Sequence, residues 1–224
     1  MRALVLLLLL AACGRPLTTT ERAFLADIQG STLDTARVRI SENALVGAFP
    51  YTVPTRPRVT CQERLYPPIE GPVATGAVAG VTLFNTILTS TNWTTDDYLR
   101  DYPARLNLPA AMFFAHEMTH VWQWQNRAIT GYHPFKAAVE QQTSADPYLF
   151  DPDTTADLLS LGYEQQASLV EEYVCCRTVA PRAARTARLF GLLSAHMPLR
   201  KITPDPAQEV ILPWDAVDLR GICD

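Results

Sequence analysis

The chain has 224 residues, 48% hydrophobic and 19% charged, with a formal net charge of −4. Such a length supports one domain with a real core, and the composition is that of a globular protein. The slightly acidic balance leaves no basic footprint for nucleic acid, which excludes that class of partner.

Met1 to Cys13 reads MRALVLLLLLAAC. A positive start is followed by an apolar run too short to span a bilayer comfortably, then by small residues. Leu10-Ala11-Ala12-Cys13 resembles a bacterial lipobox, which implies cleavage before Cys13 and acylation of its thiol. Gly14 in place of Asp then favours the outer membrane under the lipoprotein sorting rule. The alternatives are an ordinary signal peptide or an anchor helix.

Export agrees with the cysteine count. Cys61, Cys175, Cys176 and Cys223 remain once Cys13 is set aside, an even number suited to disulfides in an oxidising compartment. Cys175 and Cys176 are neighbours on an expected helix and point about 100° apart. One should therefore pair with Cys61 and the other with Cys223, the connectivity staying open. A tetrathiolate metal site is the rival reading, although no CxxC pair is present.

Thr18 to Gly30 reads as a first short helix, with Thr18 and Glu21 as a capping box and Gly30 as a stop. Ala36 to Ile40 and Leu45 to Phe49 look like short strands. Phe49 to Pro72 carries six prolines, which predicts an irregular segment pinned by Cys61. Val73 to Asn85 has the β-branched content of a strand. Thr86 to Asn107, polar and aromatic, is expected to wrap over the helix that follows.

That helix is the centre of the chain. Asn107 to Arg127 reads NLPAAMFFAHEMTHVWQWQNR, with Pro109 suited to a first turn and no further proline or glycine before Gly131. Apolar residues occur nearly all round, so the helix is expected to be buried. Within it stands His116-Glu117-Met118-Thr119-His120, an HExxH motif. Residues four apart share a helix face, so His116 and His120 can offer two imidazoles to one zinc ion. Glu117 lies one residue further round, within reach of a water on that zinc. Two histidines and a glutamate in a buried helix would be costly without such a partner.

Further on, Gly131 to Pro134 reads as a turn, Phe135 to Gln142 as a short helix and Ala145 to Asp153 as a loop. Tyr163 to Cys176, YEQQASLVEEYVCC, has helical spacing. Pro181 to Met197 reads as an arginine-rich helix with Arg182, Arg185 and Arg188 on a basic face, suited to acidic partners or lipid head groups or simply solvated. His196, near its end, reads as a surface residue. The tail from Lys201 to Asp224 is expected to be stitched back by Cys223.

A catalytic zinc takes three protein ligands and keeps one position for water. The HExxHxxGxxH arrangement is excluded, because Gln123 stands where it needs Gly and Asn126 where it needs His. A Glu from a downstream helix is the other common arrangement, and Glu164 lies 44 residues beyond His120. Glu171, Asp157 and His133 are its rivals. Tyr132, His133, Tyr163 and Tyr173 are candidates to stabilise an oxyanion, and Gln165 and Gln166 read as solvent-facing unless they bond near the site. Trp122 and Trp124 read as core.

HEMTHVWQWQ followed by an EQQA helix resembles the gluzincin-type zincin metallopeptidases, and is similar to small bacterial HExxH domains with an H-E-x-x-H-V-x-Q helix and an E-Q-Q-A helix. The likeness covers roughly residues 75 to 180. It implies Zn2+ held by His116, His120 and Glu164, with Glu117 as general base in hydrolysis of a peptide bond. It also implies a zincin-like fold. The departure is Ser168, which stands where the family's ExxxD pattern has an Asp to orient a histidine. The expectation is therefore a helix-dominated α+β, zincin-like single domain with a small β-sheet. Residues 1–12 would be a lipoprotein signal peptide, 13–30 a lipidated N-terminus and first helix, and 31–224 a metallopeptidase domain. It would be lipid-anchored through Cys13 and face the periplasm. The alternative is a non-catalytic zinc-binding envelope lipoprotein that binds a partner.

Overall fold

The computed structural model describes residues 14–201 and 205–224. The expected leader and Cys13 lie outside the described residues. The fold is α+β and helix-dominated, with its strands divided among three small sheets instead of gathered into one.

Helix α1 (Thr19–Ala26) begins as its sequence predicts. The Thr18 hydroxyl accepts from the Glu21 amide and the Glu21 carboxylate accepts from the Thr18 amide. Glu21 is fully buried because Arg15 clamps both its oxygens at 2.7 and 2.9 Å. The helix ends at Ala26, four residues before Gly30, and Phe24, Leu25 and Ile28 enter the common core.

Strand β1 (Arg39–Glu42) runs parallel to β5 (Thr86–Thr89), and β4 (Gly80–Leu83) runs antiparallel to β5 from the other side. The sheet order β1-β5-β4 makes β4 an edge strand. β2 (Tyr51–Pro54) and β3 (Val73–Gly76) form a separate hairpin around helix α2 (Cys61–Leu65), so the proline-rich segment is less irregular than expected. The single strand expected over Val73 to Asn85 is thus two strands in different sheets. β5 falls in the stretch read as a polar cover. Leu45 to Phe49 is a turn, not a strand: the Asn43 side chain accepts from the Leu45 amide, and Gly47 adopts φ +75°. β6 (Arg105–Asn107) pairs in parallel with β7 (Glu209–Ile211), bringing the C-terminal tail back to the start of the next helix.

Helix α3 (Leu108–Gln125) is the HExxH helix. Asn107 caps it, its side chain accepting from the Ala110 amide, and Pro109 occupies the first turn. It is buried on nearly every face. The helix stops at Gln125 rather than running to Gly131, because the Asn126 amide group turns back onto the carbonyls of Thr32 and Trp122. A single turn, α4 (Arg127–Thr130), follows and closes on Gly131 in the left-handed conformation. α5 (Pro134–Thr143) comes next, then the expected loop, then α6 (Tyr163–Val179), the main packing partner of α3, and α7 (Ala184–Ser194). Among the described residues no helix is long and apolar enough to cross a membrane.

Two disulfides brace α6 from behind: Cys61 pairs with Cys175, and Cys176 with Cys223. Adjacent helical positions thus reach different partners, one in α2 and one in the tail. Loop closures of 114 and 47 residues correspond to about 5 and about 4 kcal/mol in the chain-entropy account. Beside them, Arg185 of α7 is buried rather than part of a free basic face. Its guanidinium donates to Glu172, to the Val59 carbonyl and to the Asp224 carbonyl. Arg188 is likewise taken up by Asp153 and the Pro152 carbonyl. Burial pushes the Glu172 carboxyl up to about 7 against the pull of Arg185 and the Cys61 amide.

Removing one member of such a buried pair strands the other. Arg185→Met is expected to destabilise the oxidised protein by about 3–5 kcal/mol in urea unfolding. A change below about 0.5 kcal/mol, typical of an exposed pair, would contradict the buried arrangement.

Candidate metal centre

α3 presents His116 and His120 one turn apart, and the first turn of α6 carries Glu164 to meet them. Glu164 Oε2 lies 3.2 Å from His116 Nε2 and 3.2 Å from His120 Nε2. All three residues are buried, as is Glu117. The other Glu164 oxygen, Oε1, accepts from Gln141 Nε2 of α5 at 2.7 Å. One oxygen and two ring nitrogens are therefore aimed at one point, within 4.8 Å of one another. This donor set fits a zinc ion, whose usual protein ligands are imidazole nitrogens and carboxylate oxygens.

The electrostatics agree with a site that attracts positive charge. Burial alone would raise the Glu164 carboxyl, but the two imidazoles hold it well below the usual range. Burial opposes protonation of His116, and Glu164 with Glu171 overcomes it, raising that imidazole well above its ordinary value. His120 is raised in the same way by Glu164.

Glu117 reaches the edge strand β4. Thr82 Oγ1 donates to its Oε2 at 2.7 Å, while Gly80 faces its Oε1. A Cβ at Gly80 would stand 2.8 Å from that oxygen and 2.9 Å from the Phe113 ring. Only glycine lets the edge strand come this close to the helix.

Of the rival third ligands, Asp157 accepts from His196 at 2.7 Å elsewhere on the molecule, and His133 caps α5. Glu171 reaches the site from a different side, its Oε2 lying 3.2 Å from His116 Nδ1, the nitrogen turned away from Glu164. It sits two helical turns beyond Glu164, so a periodicity of seven along α6 was the available signal, whereas the family's spacing falls on Ser168. Gln123 Oε1 lies 2.8 Å from His120 Nδ1 and matches that arrangement. Gln166 is buried beside it, not solvent-facing, and Gln165 donates to the Leu149 carbonyl.

Among the tyrosines, Tyr132 packs its ring on His120 with centroids 5.9 Å apart. Tyr148, in a loop and unflagged by any motif, does the same on His116 at 5.9 Å, and its hydroxyl accepts from Gln141. Burial, then the carboxylates of Glu164 and Glu117, raise both phenols above their ordinary value. Tyr163 donates to the Gly131 carbonyl and Tyr173 packs against Phe190, so neither joins the site, nor does His133. Trp122 is core, whereas Trp124 is partly exposed and carries Phe84 and Arg127 on its ring. The sulfurs of Cys61, Cys176 and Cys223 also cluster, but the disulfides occupy them, which retires the tetrathiolate alternative.

No protein-family model matches the chain, and no curated protein matches it. A solved structure described as the effector domain of Pseudomonas aeruginosa VgrG2b is similar over 82% of this chain and 84% of that one, with 22% identity and a TM-score of 0.49. A likeness of that size transfers neither fold nor activity.

Gly80→Ala is expected to destabilise the protein by about 1–3 kcal/mol through overpacking against Glu117 and Phe113. Gly191→Ala in α7, where a Cβ meets nothing within 4 Å, should instead be neutral or stabilising by up to about 1 kcal/mol. Thermal unfolding of the two variants side by side checks the contrast.

Proposed function

We propose that this chain is a zinc-dependent hydrolase of the gluzincin type, a peptidase acting in the cell envelope, with His116, His120 and Glu164 as ligands. The observation that carries this reading is the convergence of those three side chains from two helices beside a carboxylate, Glu117, that is not one of them. Bound there, zinc would supply Lewis acidity to a water and to a substrate carbonyl.

This chain's own residues provide the rest. Thr82 occupies Glu117 Oε2, which leaves Oε1 to take a proton from the attacking water and return it to the leaving nitrogen. Tyr148 accepts from Gln141, which keeps its own O–H available to a developing oxyanion. Tyr132 is the second candidate for that role. Among the described residues β4 has an unpaired edge beside Glu117, the place where an extended peptide would add as a further strand.

The envelope location rests on the lipobox at Cys13. Arg15 already exchanges backbone hydrogen bonds with Ile40 at 2.8 and 2.9 Å. A lipid on Cys13 would therefore hold the domain close against the membrane surface. One observation favours the alternative of a non-catalytic zinc lipoprotein: His116, Glu117, His120 and Glu164 are all less than 10% exposed.

Elemental analysis of the chain starting after Cys13, joined to a peptide-library digest, separates these readings. The expected result is one zinc per chain, lost in Glu164→Ala and kept in Glu117→Gln, with cleavage abolished in both. Zinc without cleavage in the wild type would favour the non-catalytic role. Absence of zinc would overturn both.

A further inference from the structure

We propose that Gln123 and Gln166, the glutamines of HVWQ and EQQA, form a two-amide relay that fixes which nitrogen of His120 is bare, with Glu171 doing the same for His116. The inference rests on the zinc reading and assigns the positioning residues that prepare its ligands.

A neutral imidazole carries one N–H and one lone pair, and a metal ligand must face the metal with the lone pair. His120 turns Nε2 to Glu164 and Nδ1 to Gln123. Which of the two carries the proton follows from the orientation of the Gln123 amide. The two ends of an amide have nearly the same shape, so that orientation has to be argued from partners that can play one role only.

Two backbone carbonyls are such partners, because they only accept. The Leu161 carbonyl lies 2.9 Å from Gln166 Nε2, so the Gln166 NH2 points there and its Oε1 points to Gln123. The Tyr163 carbonyl lies 3.0 Å from Gln123 Nε2, which is also 3.0 Å from Gln166 Oε1. Both protons of the Gln123 NH2 are thereby used. Its Oε1 is left facing His120 at 2.8 Å, and an amide oxygen only accepts. Nδ1 of His120 therefore carries a proton, and Nε2, which faces Glu164 at 3.2 Å, is the nitrogen left to turn its lone pair to a metal.

Reversing the Gln123 amide would set its carbonyl against two acceptors inside the protein, where Gln123 and Gln166 are 0% and 1% exposed. Water cannot repair the loss there. On the other histidine Glu171 Oε2 faces Nδ1 at 3.2 Å and Glu164 Oε2 faces Nε2 at 3.2 Å, so Glu171 is placed to hold a proton on Nδ1 when Nε2 turns its lone pair to a metal.

The relay's anchors also explain its position in the chain. Leu161 and Tyr163 stand three residues and one residue before Glu164, so the carbonyls that orient the amides belong to the segment that delivers the third ligand. Correct seating of α6 sets the tautomer of His120 and the place of Glu164 together. EQQA and HVWQ are thus two halves of one hydrogen-bonded device.

Long-range 1H–15N spectra of the histidine rings in zinc-free protein test this by reading whether His120 Nδ1 carries a proton. Zinc affinity is measured in parallel by chelator competition. In the wild type His120 is expected to be the Nδ1–H tautomer. Gln123→Leu should shift it toward Nε2–H and weaken zinc binding about 10–100-fold, the usual cost of losing such an outer partner. Gln166→Leu should act in the same direction, while Gln166→Glu, which keeps an acceptor for Gln123 Nε2, should retain the wild-type tautomer. Circular dichroism of the zinc-free variants checks folding, and the wild-type and Gln166 spectra decide if Gln123→Leu does not fold. A wild-type His120 whose Nδ1 carries no proton, or a ring protonation that Gln123→Leu and Gln166→Leu leave unchanged, would overturn the relay. If the wild type binds no zinc, the zinc reading fails, and the ring spectra still decide the relay.

Discussion

The structure depends on one seam, the packing of α3 against the first turns of α6. Two imidazole nitrogens and a carboxylate oxygen meet there in a buried space. Three acceptors aimed at one point repel one another unless positive charge lies among them, and in a buried site that repulsion is weakly screened. The raised imidazoles and depressed carboxylate are the same fact seen through protons.

Much of the remaining fold keeps the seam in register. The two disulfides and the Glu172–Arg185 pair hold the far half of α6 to α2, α7 and the tail, which leaves its near half free to be polar. On the other side, the three-stranded sheet lies along α3 and brings Thr82 and Gly80 to Glu117. α5 and the loop after it lie against the candidate metal centre. Gln141 holds the outer oxygen of Glu164, Tyr148 lies on His116, and Arg56 fastens that loop through both oxygens of Asp146 at 2.6 and 2.7 Å.

Local chemistry made part of this legible. The Thr18–Glu21 capping box, the Asn107 cap with Pro109, and the four-residue spacing of His116 and His120 all act within one or two helical turns, and each stands where the sequence places it. Glu164 was reachable because helical spacing and the family resemblance both marked its helix. The strands were less legible. Val73 to Asn85 has one continuous β-rich composition, yet Ala77 to Ala79 carries the chain from one sheet to another, a choice made by pairing partners far away in sequence. Leu45 to Phe49 has strand-like residues but no strand to pair with, and the Asn43 turn claims it.

The sequence by itself determined that His116 and His120 share a helix face with Glu117 one residue further round, because an α-helix converts spacing into direction without help from the rest of the chain. It also determined that Cys175 and Cys176 must part, since neighbouring helical positions diverge. Tertiary structure alone decided which cysteine went where and that Arg185 is buried. It also decided that Glu171 rather than Ser168 meets His116, and that Tyr148 comes to lie over the site. Those contacts join residues tens of positions apart. The orientation of one element against another sets them, and no local periodicity encodes that orientation.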